Sequence, residues 1–350
     1  MASRHLIGLD VGSKFVKALQ LTETSGQFKI TEFGIAEIPP QVSVADVVSE
    51  LFSRKKFKTK RVVTSVSGRF VFVRYISMPV MTDEELVNAA KYELGKYIPV
   101  EVDEVLHDSQ KLEELPPQEG QEPEMRVLLV AAKRTFIDEH VAAVETAGLQ
   151  PAIVDVDSFA LGNAYELSGL AKADAVAQGR LVALVDIGAS KTNINIMSDA
   201  VSYFTREFYK GGDDLTDALS KKLSMDLKDA EALKRNPGGE LEKVQESIQG
   251  VVEDICHDIN ISIDYFENQY DRKVEEVYIT GGASNTPGLP ETLERTVQKP
   301  VNRWNPLQFM EQELSKDSAQ ELADYAARQM LNRLALALDD DHARGRYAFV

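Results

Sequence analysis

Apolar residues at the start of the chain follow a strand pattern that breaks once. Residues 5–9 read HLIGL and residues 15–21 read FVKALQL, and D-V-G-S-K separates the two segments. An acidic residue at the end of a buried strand is costly unless something pairs with it, and glycine lets the backbone approach a ligand closely. The break therefore indicates either a plain hairpin turn or a loop that holds a phosphate with its metal ion.

The same pattern returns in the second half of the chain. Residues 181–198 read LVALVDIGASKTNINIMS, and placing Asp186 on Asp10 puts Gly188 on Gly12, at an offset of 176 residues. A further strand-like segment follows each copy, at 27–38 and at 201–209. The repeated D-x-G-[SA] break predicts two related halves that face a shared cleft, and chance similarity of a short motif is the alternative.

The rest of the chain alternates between helical and strand patterns. Helices are predicted at 44–57, 82–98, 135–149, 157–167, 211–223, 227–236, 241–270 and 318–338. Two strands about a Ser-Gly turn are predicted at 61–79, and single strands at 125–133, 151–156 and 275–279. Thr82 and Glu85 have the spacing of a capping box, and Pro116 to Glu124 reads as an exposed loop. The strand MRVLLVAAK at 125–133 is either buried core or an edge strand that can receive an extended peptide. This alternation predicts an α/β fold with mixed sheets.

Composition narrows the possible functions. The formal net charge of -17 argues against a nucleic-acid partner, because phosphate contacts need clustered Lys and Arg. A single cysteine, Cys256, leaves no internal disulfide and fits a reducing compartment. Five scattered His residues give no metal-ligand spacing. No signal segment and no membrane-spanning run is evident, so we expect a cytoplasmic protein without direct membrane insertion.

Three loops together carry the candidate chemistry: Asp10–Lys14, Asp186–Thr192 and Thr280–Asn285. Glycine-containing hairpin turns present successive N–H groups to a phosphate chain, and the Ser13 and Thr192 hydroxyls can add donors. Carboxylates from opposite halves can hold magnesium through its waters. A Gly-Gly pair after a strand lets a base and ribose lie against the backbone.

These loops, in this order, resemble the phosphate-1, phosphate-2 and adenosine motifs of the actin-like ATPase superfamily. Gly211-Gly212-Asp213-Asp214 resembles its G-G-x-x-[LF] entry into a helix, and Glu231 to Arg235 resembles an E-x-x-K-R helix that brackets adenine and ribose. An ordinary ion pair on a solvated helix face is the alternative for that helix. The resemblance implies ATP and magnesium as cofactors and Asp10 and Asp186 as the water-mediated metal ligands and candidate catalytic residues. It implies nucleotide contacts at Asp10, Gly12, Ser13, Lys14, Gly188, Ala189, Lys191, Thr192, Gly211, Gly212, Asp214, Glu231, Lys234, Gly281, Gly282 and Ala283.

Longer phrases narrow the resemblance to the PilM family of type IV pilus proteins, which is related to FtsA. They include Y-E-L-G-K-Y-I-P at 92–99, G-G-D-x-L-T at 211–216 and I-T-G-G-A-S at 279–284. The family implies an actin-like fold of two mixed-sheet halves around a nucleotide cleft, with an FtsA-like inserted subdomain. The predicted subdomains are 1–81 with 153–178, the insert 82–152, 179–210 with 274–350, and 211–273.

The family also implies a function. The expected protein is an ATP-binding adaptor in type IV pilus assembly and twitching motility, located at the inner face of the inner membrane through its partners. It would bind the cytoplasmic N-terminal peptide of PilN, reach PilO indirectly, and link them to the platform protein and the pilus motor ATPases. Two departures stand out: Lys14 occupies the phosphate-1 tip, and the last residues lack the basic amphipathic helix by which FtsA reaches membranes.

Other functions stay open at this point. An FtsA-like division adaptor, a small-molecule kinase of the same superfamily and a nucleotide-free structural protein share the fold pattern. No strong general base is evident, so at most slow ATP hydrolysis is expected. Asp157, between a strand and a helix, occupies a position where the superfamily places polar residues near the γ-phosphate.

Overall fold

The computed structural model describes residues 4–24, 27–116, 120, 122–167, 179–199 and 201–326. These residues form two compact units, with the boundary between Ala160 and Leu161. We predicted that the two halves meet between residues 178 and 179. The boundary between the two units lies earlier in the chain, within α4 (Asp157–Leu167). Residues 168–178 of the predicted first half and the part of the predicted helix 318–338 that follows residue 326 lie outside the described residues.

The first unit contains helix α1 (Val44–Arg54) and a larger sheet. Its strands lie in the order β3 (Gln27–Glu37), β2 (Phe15–Thr24), β1 (Arg4–Val11), β4 (Arg61–Val66) and β8 (Gln150–Val156). Strands β1 and β2 are antiparallel, whereas β4 runs parallel to both β1 and β8. Ile7, Leu9 and Val16 pack with Val48 and Leu51 of helix α1, which explains the apolar pattern at the start of the chain. The elements are β1 (Arg4–Val11), β2 (Phe15–Thr24), β3 (Gln27–Glu37), α1 (Val44–Arg54), β4 (Arg61–Val66), α3 (Arg134–Thr146), β8 (Gln150–Val156) and α4 (Asp157–Leu167).

A smaller antiparallel sheet of the first unit has the order β5-β7-β6. Its elements are β5 (Val71–Pro79), α2 (Asp83–Leu94), β6 (Val105–Glu114) and β7 (Glu124–Lys133). The sheet begins earlier than the predicted insert of 82–152, because β5 pairs with β7 along its length. It also ends earlier, because β8 pairs with β4 in the larger sheet. The predicted capping box of Thr82 and Glu85 starts α2.

Strand β7 is the central strand of this smaller sheet, so the buried-core interpretation of MRVLLVAAK is confirmed and the edge-strand interpretation is wrong. Its alternate residues pack on opposite faces of the sheet. Met125, Val127 and Leu129 pack beneath α2, while Leu128 and Val130 pack with Val156 and Phe159. The continuous apolar run thus reflects burial on both faces.

The second unit is built on a sheet of order β11-β10-β9-β12-β13. Its long helix α7 contributes Val244, Ile248, Ile255, Ile259 and Phe266 to one buried cluster with the apolar residues of β9, β10 and β12. The elements are β9 (Leu181–Ile187), β10 (Thr192–Ser198), β11 (Val201–Phe208), α5 (Gly212–Leu223), α6 (Leu227–Arg235), α7 (Leu241–Tyr270), β12 (Glu276–Thr280), α8 (Leu289–Val297), β13 (Val301–Arg303), β14 (Glu311–Gln312) and α9 (Lys316–Ala326). Among the described helices, none is long and apolar enough to cross a bilayer.

Candidate functional site

The two predicted hairpins have the same local structure. In the first, the Gly12 amide donates to the Phe15 carbonyl at 3.0 Å, and in the second the Gly188 amide donates to the Lys191 carbonyl at 2.9 Å. The register also repeats, because Asp10 lies opposite Lys17 and Asp186 lies opposite Asn193. Each pair of equivalent positions differs by the offset of 176 residues that the sequence predicts. The repeat is therefore structural.

In the phosphate-1 hairpin, the buried Asp10 carboxylate pairs with a lysine. Lys17 Nζ donates to Asp10 Oδ2 at 2.6 Å across the two strands. No sequence motif singled out Lys17, although a tight turn after Asp10 puts residue 17 opposite it. Ser13 is exposed, and the Lys14 carbonyl accepts a hydrogen bond from the Ile38 amide at 2.8 Å.

The phosphate-2 hairpin contacts the start of α5 through the backbone. The Gly212 amide donates to the Gly188 carbonyl at 2.9 Å, and the Asp213 amide donates to the Ala189 carbonyl at 2.8 Å. A Cβ on Gly211 would lie 2.6 Å from the Gly188 carbonyl oxygen, so this approach requires glycine. The Asp214 carboxylate accepts a hydrogen bond from the Gly211 amide at 2.8 Å. Asp214, which was predicted to contact the nucleotide, therefore caps the start of α5.

The adenosine loop lies directly against the phosphate-2 carboxylate. Gly281 has a φ of 86°, and a Cβ there would overlap Asp186 Oδ1 and the Ile187 carbonyl. The following residues, Gly282 to Asn285, form a short 3-10 turn in which the Ser284 hydroxyl donates to the Gly281 carbonyl at 2.7 Å. Within the second unit, three predicted motifs thus meet: Asp186 to Ala189, Gly211 with Gly212, and Gly281 to Ala283.

The E-x-x-K-R helix is α6, and its charged residues form a partly buried network rather than a solvated pair. Lys234 Nζ lies 2.7 Å from Glu231 Oε2, and Arg235 Nε lies 2.6 Å from Glu231 Oε1. Burial by itself would raise the pKa of Glu231. The charge and hydrogen bond of Lys234, the Thr216 hydroxyl and the charge of Arg235 outweigh burial and lower that pKa to about 2.

Two other predicted nucleotide contacts are engaged by the protein itself. Lys191 precedes β10, and its Nζ pairs with Glu207 of β11 at 3.1 Å. Thr192 is fully buried, and its hydroxyl donates to the Lys210 carbonyl at 2.8 Å. The hydroxyl therefore ties the hairpin to the segment that precedes α5, which differs from the predicted donation to a phosphate.

The carboxylate of Asp157, at the start of α4, is held by hydroxyl groups of the first unit. Ser65 Oγ donates to it at 2.6 Å, and Ser67 Oγ donates to its other oxygen. Nearby, His140 Nε2 lies 3.1 Å from the Thr64 hydroxyl. Burial lowers the pKa of His140, against the smaller raising effect of the Asp157 charge. The sequence did not reveal these partners, because Thr64 and Ser65 of β4 and Ser67 just after it carry no motif.

A second surface of the first unit has partly exposed apolar side chains. Val73, Tyr75 and Leu112 lie around the buried Leu128 and Val130, on the face of the smaller sheet that α2 does not cover. No sequence signal distinguished these residues, because strand alternation does not tell which face a neighbouring element covers.

The described residues do not include a cluster of three or more His, Cys, Asp or Glu side chains that could ligate a metal directly. A cation at this site would therefore rely on few carboxylates and on water or ligand oxygens, as magnesium commonly does. Of the two predicted carboxylates, Asp10 is paired with Lys17 and Asp186 lies against the adenosine loop.

Comparison with known proteins gives consistent results. Residues 8–340 match the family model described as type IV pilus assembly protein PilM. The cell division protein FtsA of Streptococcus pneumoniae is 22% identical over a 355-residue alignment. The alignment covers 86% of this chain and 75% of FtsA. Among solved structures, a PilM-PilN type IV pilus biogenesis complex is similar with a TM-score of 0.79 and 24% identity, over 95% of this chain and 96% of that one. The ethanolamine utilization protein EutJ from Carboxydothermus hydrogenoformans has a TM-score of 0.51 and 13% identity, over 87% and 85% of the two chains. The predicted actin-like ATPase fold is confirmed.

Proposed function

Because the chain belongs to the type IV pilus assembly protein PilM family, we propose that it is an ATP-binding adaptor of pilus assembly that binds the cytoplasmic N-terminal peptide of PilN. The observation that carries the ATP part is the meeting of three motifs in the second unit. The Gly211-Gly212 turn contacts Gly188 and Ala189 of the phosphate-2 hairpin, and the Gly281–Ala283 loop contacts Asp186 and Ile187 of the same hairpin. Loops that present backbone amides beside a carboxylate suit a phosphate with its cation.

The residues fit magnesium ATP in this arrangement. Asp186 would hold magnesium through water, while Gly188, Ala189 and the Gly281–Ala283 loop would contact the nucleotide through the backbone. Lys191 is already paired with Glu207, so its charge is compensated within the protein. Bound magnesium would offset the phosphate charge. Asp10, Gly12, Ser13 and Lys14 of the first unit stay predicted phosphate contacts, with the charge of Asp10 compensated by Lys17.

The peptide would lie against the face of the smaller sheet that α2 does not cover, at the margin of the cluster that Leu128 and Val130 form with Val156 and Phe159. Val73, Tyr75 and Leu112 offer apolar surface there, and β5 and β6 are the edge strands beside the buried β7. An extended peptide can place alternate side chains on such a surface and bond to an edge strand through its backbone. A PilM-PilN pair among the similar structures supports PilN as the partner class. Through PilN, the protein would be located at the inner membrane and connected to PilO, the platform protein and the motor ATPases.

Isothermal titration with a PilN N-terminal peptide, with and without magnesium ATP, tests this proposal. We expect peptide binding that depends on nucleotide and fails in an Asp10→Ala, Asp186→Ala double variant that still folds. Tyr75→Ala should weaken peptide binding and leave ATP binding unchanged. Tyr92→Ala is the matched control, because Tyr92 is 81% exposed on α2, which covers the opposite face.

The outcomes separate the alternatives. ATP binding without any peptide binding would contradict the pilus adaptor function and favour another member of the actin-like fold. An FtsA-like division adaptor is supported by the FtsA similarity, and it would instead bind lipid vesicles in a sedimentation assay. A small-molecule kinase would turn over ATP quickly only with its acceptor.

A further inference from the structure

The ammonium group of Lys234 is fully used by the protein. Its side chain is 8% exposed, and an ammonium has three N–H donors and no acceptor. Nζ donates to the Gly212 carbonyl at 2.7 Å and to the Thr216 hydroxyl at 2.6 Å, and it lies 2.7 Å from Glu231 Oε2. Three donors therefore have three partners at short distance.

These partners connect α6 to the start of α5. Gly212 is the first residue of α5 and Thr216 lies one turn later, whereas Lys234 and Glu231 are on α6. The Thr216 hydroxyl also bonds to Glu231, which closes the network. Gly212 in turn donates to the Gly188 carbonyl, so the network supports the turn that meets the phosphate-2 hairpin.

We propose that Lys234 is a positioning residue: it fixes the Gly211–Gly212 turn and makes no contact with the ribose or the base. This inference rests on the proposed ATP site and differs from what the E-x-x-K-R resemblance implies for Lys234. A ribose hydroxyl could gain a donor from Lys234 only if one of its three bonds broke. Glu231 is different, because a carboxylate can accept about four hydrogen bonds and Glu231 has capacity left on Oε1.

Nucleotide discrimination separates the two roles of Lys234. We expect Lys234→Met to raise the Kd for ATP about tenfold and to raise the Kd values for 2′-deoxy-ATP, 3′-deoxy-ATP and GTP by the same factor. The ratios between nucleotides then stay within twofold of those of the parent protein. If Lys234 bonded to a ribose hydroxyl or to the base, Lys234→Met would bind ATP no better than the analogue that lacks that group. The ratio of the two Kd values would then fall about tenfold or more, because the lost hydrogen bond comes from a charged group. That fall would overturn the proposal.

A nucleotide-free measurement tests the same role independently. Amide hydrogen exchange of residues 211–216 should become faster in Lys234→Met and remain unchanged in Lys221→Met, an exposed lysine on α5. If Lys234→Met does not fold, Thr216→Val removes the central hydroxyl without altering Lys234 and should accelerate the same amides. Unchanged exchange in the folded variant would overturn the positioning role. Failure of the parent protein to bind ATP would contradict the proposed function alone, because the exchange experiment would still decide the role of Lys234.

Discussion

Glu267, in the last turns of α7, offers a graded test of how a buried carboxylate stabilises the second unit. It accepts from Lys273 Nζ at 2.7 Å, from Lys299 Nζ at 2.8 Å and from the Val274 amide at 2.9 Å. Burial alone would raise the pKa of Glu267, but the hydrogen bonds from the two lysines and the amide lower it. One carboxylate thus joins the end of α7 to the segments that lead into β12 and β13.

The two lysines differ in exposure, and this difference sets the expected magnitudes. Lys273 is 79% exposed, so solvent screens its pair with Glu267 and the pair contributes little to stability. Lys299 is 17% exposed, so Lys299→Met should cost about 1–3 kcal/mol. Glu267→Ala leaves a partly buried ammonium and a buried amide without their acceptor. It should therefore cost about 3–5 kcal/mol.

Urea and thermal unfolding measure this series directly. For a unit of this size, about 3–5 kcal/mol corresponds to a decrease in Tm of about 6–20 °C. We expect the order Lys273→Ala, Lys299→Met, Glu267→Ala, from the smallest loss to the largest. Equal losses in Lys273→Ala and Glu267→Ala would refute the reasoning, because they would mean that burial does not set the strength of these pairs.

Three further predictions follow from local geometry and charge. Gly211→Ala should abolish ATP binding or disrupt folding at the start of α5, because the added Cβ would collide with two backbone oxygens. Gly239→Ala is the control: its Cβ would meet open space, so the Kd for ATP in titration and the Tm should stay unchanged. The Glu231 pKa of about 2 lies below its ordinary 4.5, so Glu231 contributes stability above pH 4.5 that disappears as the pH falls toward 2. Glu231→Gln should weaken the pH dependence of unfolding in that range, and an unchanged pH profile would contradict this linkage. The lowered pKa of His140 means that stability falls as the pH drops below 6.5, and His140→Gln should flatten urea-unfolding profiles in that range.

The sequence predicted local structure and the repeat well, because both depend on short-range pattern. The apolar spacing around Asp10 and Asp186 was enough to place two hairpins with one register. The capping box at Thr82 likewise depends on residues three apart. Such features need no knowledge of distant neighbours.

The sequence did not predict which charges are compensated. Asp10 is paired with Lys17, and Lys191 is paired with Glu207. Lys234 donates to the Thr216 hydroxyl of a neighbouring helix. Those partners depend on strand order and helix packing, which no local pattern encodes. The same limit applies to the smaller sheet, where the membership of β5 was set by its pairing with β7 across about 50 residues of chain.

The unequal partners of Asp10 and Asp186 also bear on the history of the chain. The two hairpins share turn and register, and at the position opposite the aspartate they carry Lys17 and Asn193. Lysine and asparagine codons differ by a single nucleotide. A duplicated ancestor could therefore have made its two halves electrostatically distinct by one point mutation, with no insertion and no change of backbone.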